Sequence, residues 1–395
     1  MTVLPFEQRN EMHINRVMRT STIVVTLAAL AGLAACGDNQ AASASASGQS
    51  TAADTAKTTV SGEFAGAGSS AQKSAVDAWV AQFGQTQPDA TIAYDPSGSG
   101  AGVSTFLTGA TQWAGTDAPL TSEQIEQSKA ICEGQTAFDV PVYISPIAVV
   151  YNLKSEGLNG SDAHLNMSAA TISGIFDGSI TTWNDPAIAA ENPKVASKLP
   201  NLKITPVWRS DKSGTTKNFT DYLAGASDGA WKSAAEETWP NTIGMGAKGT
   251  SGVVSTVSQA EGTIGYADAS QAGDLGTVAI KVGSDYVPYS AQAAAAVVDA
   301  SPRDKEATQK NRVVISVDRA TTAKGVYPLV LVSYDAVCPV YKDSSQAEFV
   351  KQWLTYVVSS DGQKTAADNA GSAPISDSLR KDIMASVAAI GSAKK

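Results

Sequence analysis

From residue 60 onward, short apolar runs alternate with apolar positions at helical spacing. "VSGEFAGAGSS" predicts a strand running into a Gly-rich loop. Val76, Trp79, Val80 and Phe83 follow at i, i+3, i+4 and i+7, the spacing of one helix face. "ATIAYDPSGSGAG" repeats the plan: a short strand, a loop of Ser and Gly, then Val103, Phe106 and Leu107 on a helix face. "LKITPVWRSDKSGTT" is a third instance, with Phe219, Tyr222 and Leu223 after it. This rhythm predicts α/β architecture with mostly parallel pairing.

Two apolar runs are longer: "VPVYISPIAVVYNL" (Val140–Leu153) and "YPLVLVSYDAVCPVY" (Tyr327–Tyr341). Each suits a buried strand crossing between two lobes. The expected organisation is a first lobe of residues 60–145 plus 325–395 and a second lobe of 146–324. "AQAAAAVVDASPRDKEATQKN", between them, reads as a helix and an exposed loop.

The N-terminal part has a different texture. Arg16 and Arg19 precede the apolar run Ile23–Ala35, which is too short to cross about 30 Å of hydrocarbon but fits the core of a secretory signal. The run ends in "LAAC", Leu33–Cys36, which resembles the lipobox of bacterial lipoproteins, where the Cys is acylated. Residues 1–35 are therefore read as a lipoprotein signal. Residues 36–59 hold no aromatic and no branched aliphatic side chain, and read as a flexible tether behind a lipid-bearing Cys36. With Cys36 acylated, Cys132 and Cys338 remain, either as a disulfide or as two buried thiols.

Charge narrows the partners. The net charge is −9, and only 17% of the 395 residues are charged, against about 25% in ordinary soluble proteins. No basic block or basic–aromatic interleave is present, which argues against nucleic acid.

The small-residue loops carry the chemistry. Each opens a helix, whose first N–H groups lack partners and whose dipole favours negative charge. Ser69 and Ser70 serve the first, Ser97–Gly100 the second, and Ser213, Gly214 and Thr215 the third. A single such loop reads equally as ordinary capping. Arg209 adds a planar fork of donors matched to a tetrahedral oxyanion, with Asp211 two residues on to orient it. Asp117 precedes a capping box formed by Thr121 and Gln124. A carboxylate in an anion site makes sense only if the anion carries a proton.

"FAGAGSS", "DPSGSGAG", "WAGTDAPLT", "ISGIFDGSITTWNDPAI", "VWRSDKSGTTKNFTDYL" and "GTIGYAD" occur here in the order seen in PstS-type periplasmic phosphate-binding proteins, which the chain resembles over about residues 60–390. The resemblance implies a two-lobed periplasmic-binding-protein fold of type II, hinged, with inorganic phosphate as ligand and the permease subunits of a phosphate ABC importer as partners. It implies a monomer on the outer face of the membrane, with no cofactor, metal or catalytic residue. Carried over by position, the ligands are Ser70, the backbone of Ala71, Ser99, Asp117, Arg209, Ser213, Gly214 and Thr215, with Asp211 behind Arg209. The family commonly has Thr-Phe where this chain has Ser70-Ala71; the hydroxyl and the backbone N–H are kept, and a shielding aromatic is lost.

Three other readings have weaker support. A phosphate-ester hydrolase would need metal ligands or a triad, and outside the signal the chain offers only His164. "GMGAKG" (Gly244–Gly249) with Asp268 matches a dinucleotide fingerprint, but "WPNTI" before it is a poor strand. A surface scaffold retaining the binding fold is compatible with the anchor.

Overall fold

The computed structural model describes residues 59–160 and 164–393, so the signal, Cys36 and nearly all of the tether lie outside the described residues. Lys57–Lys395 gather into one unit. Its first strands are β1 (Gly62–Gly68), β2 (Ala90–Asp95), β3 (Trp113–Thr116) and β4 (Phe138–Tyr151). Next come β5 (His164–Met167), β6 (Thr205–Arg209), β7 (Met245–Ala247) and β8 (Thr263–Asp268). β9 (Gly276–Val282), β10 (Asp285–Val287) and β11 (Val330–Val337) complete an 11-stranded sheet. Its main path runs β2-β1-β3-β11-β4-β8-β6-β7, with β9 joining β4 to β5 and β10.

Parallel pairing holds at both ends of this path: β1 with β2 and β3, and β6 with β7 and β8. The middle is antiparallel, because β11 pairs antiparallel with both β3 and β4, and β4 with β8. The sheet is therefore mixed where the pattern had predicted mostly parallel pairing: the two long apolar runs are return strands, oriented against their neighbours. All fourteen residues of β4 are buried, which is why it reads as continuous apolar sequence rather than as alternation. β4 pairs with β11 through its first half and with β8 and β9 through its second, so it belongs to both groups of strands.

Helices α1 (Lys73–Thr86), α2 (Ser99–Leu107) and α3 (Ser122–Gln127) follow β1, β2 and β3. The face predicted for α1 is real: Val76, Trp79 and Phe83 are buried and Val80 is half-buried. Trp79 meets Tyr143 and Trp353 edge-on, geometry worth about 0.5–1.5 kcal/mol per pair beyond simple burial. The capping box predicted for α3 forms, with Thr121 accepting from the Gln124 N–H and the Gln124 side chain accepting from the Thr121 N–H.

In the second group lie α4 (Ala169–Asp177), α5 (Pro186–Glu191), α6 (Gly214–Ala226), α7 (Gly249–Gln259) and α8 (Ala291–Ala300). After β11 come α9 (Ser344–Val357), α10 (Ser360–Ala370) and α11 (Asp377–Val387). Cys132 and Cys338 form a disulfide with Cα atoms 5.1 Å apart, fastening the segment after α3 to the end of β11.

The stretch between α8 and β11 opens with the exposed loop expected there and then turns inward. Its first part is largely exposed, but Val313, Val314, Ile315 and Arg319 are buried. Arg312 draws it inward by pairing with the buried Asp139, at 2.6 Å from Nε and 2.9 Å from a terminal nitrogen. Arg319 donates to the carbonyls of Pro328 and Val330, both at 2.8 Å, and to Asp221 and Asn218 on α6.

Candidate functional site

The loops that follow β1, β2, β3, β6 and β7 at their carboxyl ends meet. Ser70, Ala71, Ser99, Asp117, Arg209, Ser213 and Thr215 are all buried. Gly214 makes the close approach possible: a Cβ there would lie 2.8 Å from both the Asp117 Cβ and the Ser99 Oγ. Gly98, at φ 104°, likewise faces the Asp211 carboxylate with no room for a side chain. The predicted residues of the two strand groups thus reach one another.

Arg209 emerges at the last position of β6. Its Nε donates to Asp211 Oδ1 at 2.8 Å and a terminal nitrogen to Oδ2 at 2.5 Å, so the carboxylate fixes the plane of the guanidinium. Burial pushes the Asp211 carboxyl up, but the hydrogen bonds and charge of Arg209 and the Gly249 amide outweigh it and leave it below its ordinary value. Ser213 caps α6 by accepting from the Thr216 N–H at 3.2 Å, while its own N–H donates to the Glu237 carbonyl at 2.9 Å. The capping and anion readings are compatible, because a hydroxyl that accepts at a cap still has its proton to donate.

Asp117 is held from several sides. Its N–H donates to Ser99 Oγ at 3.2 Å, and its carbonyl accepts from the Asn218 amide at 2.7 Å. Its carboxylate accepts from Thr215 at 3.0 Å and from Ser333 at 2.5 Å. Burial raises this carboxyl above its ordinary value, against the lowering by Ser333, Ser69, Thr215 and the charge of Arg209.

The first loop differs most from expectation. The Ala71 N–H donates to Ser69 Oγ at 3.1 Å. Ser70 Oγ pairs with Thr250 Oγ1 and accepts from the Thr250 N–H, both at 3.0 Å. The Gly249 N–H donates to Asp211 Oδ1, also at 3.0 Å. The N-terminus of α7 is therefore a further part of this site, one that the sequence reading missed. "GMGAKG" held the signal, since it leads through a short strand into a helix like the other three loops. A cavity of about 230 Å³ opens beside Ser70, with Lys73, Lys248 and Gln271 on its walls.

The residues of the rival readings have structural partners. His164 Nδ1 lies 2.7 Å from Thr277 Oγ1 on the neighbouring strand. Asp268 caps the turn after β8, accepting from the Ser270 N–H at 3.0 Å and its hydroxyl at 2.5 Å.

The family model of the PBP superfamily domain matches residues 41–361. Phosphate-binding protein PstS 2 of Mycobacterium tuberculosis is 34% identical over 336 residues, covering 83% of this chain and 87% of that protein. Phosphate-binding protein PstS of Xylella fastidiosa is 30% identical over 354 residues, covering 88% and 91%. The chain belongs to the PstS family of phosphate-binding proteins. Among solved structures, a high-affinity periplasmic phosphate-binding protein bound with phosphate (PfluDING) matches with a TM-score of 0.64 at 18% identity, covering 82% of this chain and 93% of that one. An ancestral soluble variant of the human phosphate binding protein gives 0.65 at 19%, over the same shares. At those identities the structures establish for this PstS-family chain its type II binding-protein fold.

Proposed function

We propose that this chain captures inorganic phosphate outside the cytoplasm and delivers it to the membrane permease of a phosphate ABC importer. It is a binding protein rather than an enzyme. The observation that carries the reading is the meeting of Arg209, three hydroxyl-rich helix starts and one carboxylate acceptor, Asp117, in one buried cluster. Arg209, Ser70, Ser99, Ser213, Thr215 and the N–H groups of Ala71 and Gly214 donate to the phosphate oxygens, with the Ala71 N–H and the Thr215 hydroxyl exchanging Ser69 and Asp117 for the ligand as acceptor. Asp117 accepts the proton that the anion carries. The lobes are residues 60–145 with 325–395, and 146–324; they close on the ligand because its donors come from both. Cys36 carries the lipid that anchors the tether, and intact mass of the mature N-terminus tests that part.

Selectivity follows from Asp117. Sulfate at neutral pH has no proton, so it would face the carboxylate as a second unshared acceptor. Sites built around a ligand hydroxyl reject analogues lacking it by about 10⁴–10⁵. Titration calorimetry should show phosphate binding, arsenate competing, and sulfate failing to displace phosphate in large excess. Displacement by sulfate at comparable concentration would refute the role given to Asp117.

A further inference from the structure

β11 is apolar except for Ser333 and Asp335, both buried within the sheet. Buried polar groups are the informative exceptions in such a strand. Ser333 lies at a break in register against β4, between Ser333 and Tyr334. Bulges of this kind re-aim side chains beside functional sites.

The aim here is Asp117. Ser333 Oγ lies 2.5 Å from Asp117 Oδ1. The fully buried Gln72 donates its amide nitrogen to Ser333 Oγ at 2.7 Å and to the Tyr334 carbonyl at 3.3 Å. A carbonyl can only accept, so the Gln72 amide is oriented with its nitrogen toward β11. Ser333 then receives a hydrogen bond from Gln72, and its own proton is directed at Asp117.

We propose that Ser333, oriented by Gln72, is the positioning residue that sets anion selectivity, by holding Asp117 as an ionised, acceptor-only carboxylate. The proposal rests on the reading of Asp117 as the group that accepts the ligand proton. A carboxyl enclosed in an apolar strand layer tends to keep a proton, and a protonated Asp117 would donate to sulfate as readily as to phosphate. Of the groups that favour its charged form, Thr215 and Arg209 are shared with the ligand, whereas Ser333, the strongest of them, and Ser69 are not. Ser333 therefore still holds Asp117 when an anion occupies the site. It also fixes the carboxylate plane, leaving Oδ2 turned toward Thr215. The other titratable groups that feel the charge of Asp117 are Tyr94 on β2, which also faces Asp335, Glu237 in the loop before β7, and Asp268 at the end of β8.

The test measures phosphate affinity and sulfate competition on the full chain from pH 5 to 8.5, where sulfate has no proton to titrate and its response reports the protein. Ser333→Val should lower the phosphate-to-sulfate affinity ratio by about tenfold or more, as expected for losing a hydrogen bond to a charged group. The loss should grow toward the acidic end. Ser333→Thr, which keeps the hydroxyl, should restore the ratio. Gln72→Met should move it in the same direction as Ser333→Val and decides the matter if the valine variant does not fold. An unchanged ratio at every pH in Ser333→Val, or in Gln72→Met if only that folds, overturns the proposal. Asp117→Asn separates the two levels. If it loses selectivity while the Ser333 and Gln72 variants keep it, only the positioning role falls. If Asp117→Asn itself keeps wild-type selectivity, the reading of Asp117 falls and the proposal with it.

Discussion

At the scale of single residues, charge is stabilised by what surrounds it. Arg209 is buried and paired with Asp211, so removing the guanidinium strands a carboxylate as well as a ligand oxygen. Arg209→Ala should weaken phosphate binding by about 2–5 kcal/mol. Calorimetry on the variant checks this, and an affinity within threefold of wild type would relegate Arg209 to a structural ion pair. Asp335 makes the opposite case. Burial pushes its carboxyl up to about 7. The folded state thus holds a proton that the unfolded chain releases near its ordinary value of 3.8. Between those values the folded state binds more protons, so stability falls as pH rises, at up to about 1.4 kcal/mol per pH unit. Asp335→Asn should flatten that part of the stability–pH profile in urea titrations, leaving the smaller same-sign contribution of Asp268, whose carboxyl burial raises to about 6. A slope as steep as wild type would show that Asp335 does not titrate there. Arg209 and Asp117 could be singled out in the sequence because their motifs are local. Ser333 and Gln72 could not, since their meeting depends on a pairing between residues 261 positions apart.

At the scale of elements, the apolar periodicity located the helices well, because burial of one face is itself a local pattern. α1, α2 and α6 lie where their apolar spacing placed them. Strand direction and the fate of residues 312–319 were not legible, since both are decided by partners distant in sequence. That segment joins the strand groups: Arg319 bonds the carbonyls of Pro328 and Val330 and also Asn218, whose amide in turn donates to the carbonyls of Asp117 and Gly214. Arg319→Met would leave two buried carbonyls without donors, each costing about 1–3 kcal/mol. Denaturant unfolding should register a loss on the order of 3 kcal/mol, and phosphate affinity should fall too as the Asp117 loop loosens. Unfolding at the wild-type midpoint would show that this bridge contributes little.

At the scale of the whole molecule, the proposed lobes predict a change in dimensions. Small-angle scattering should give a smaller radius of gyration with phosphate than without it; an unchanged radius at saturating phosphate would count against a hinge. The position of β11 has a consequence of another kind. It lies between β3 and β4, yet β5 to β10 are all made before it. A nascent chain that has emerged only through β10 therefore has a slot at the middle of its sheet, and the facing edges of β3 and β4 stay unpaired until β11 arrives near the end of the chain. Such long-range closure gives a high contact order and slow folding, with strand edges open to wrong partners meanwhile. Cys132 meets Cys338 only once that slot is filled, so formation of their bond reports that the sheet has been completed.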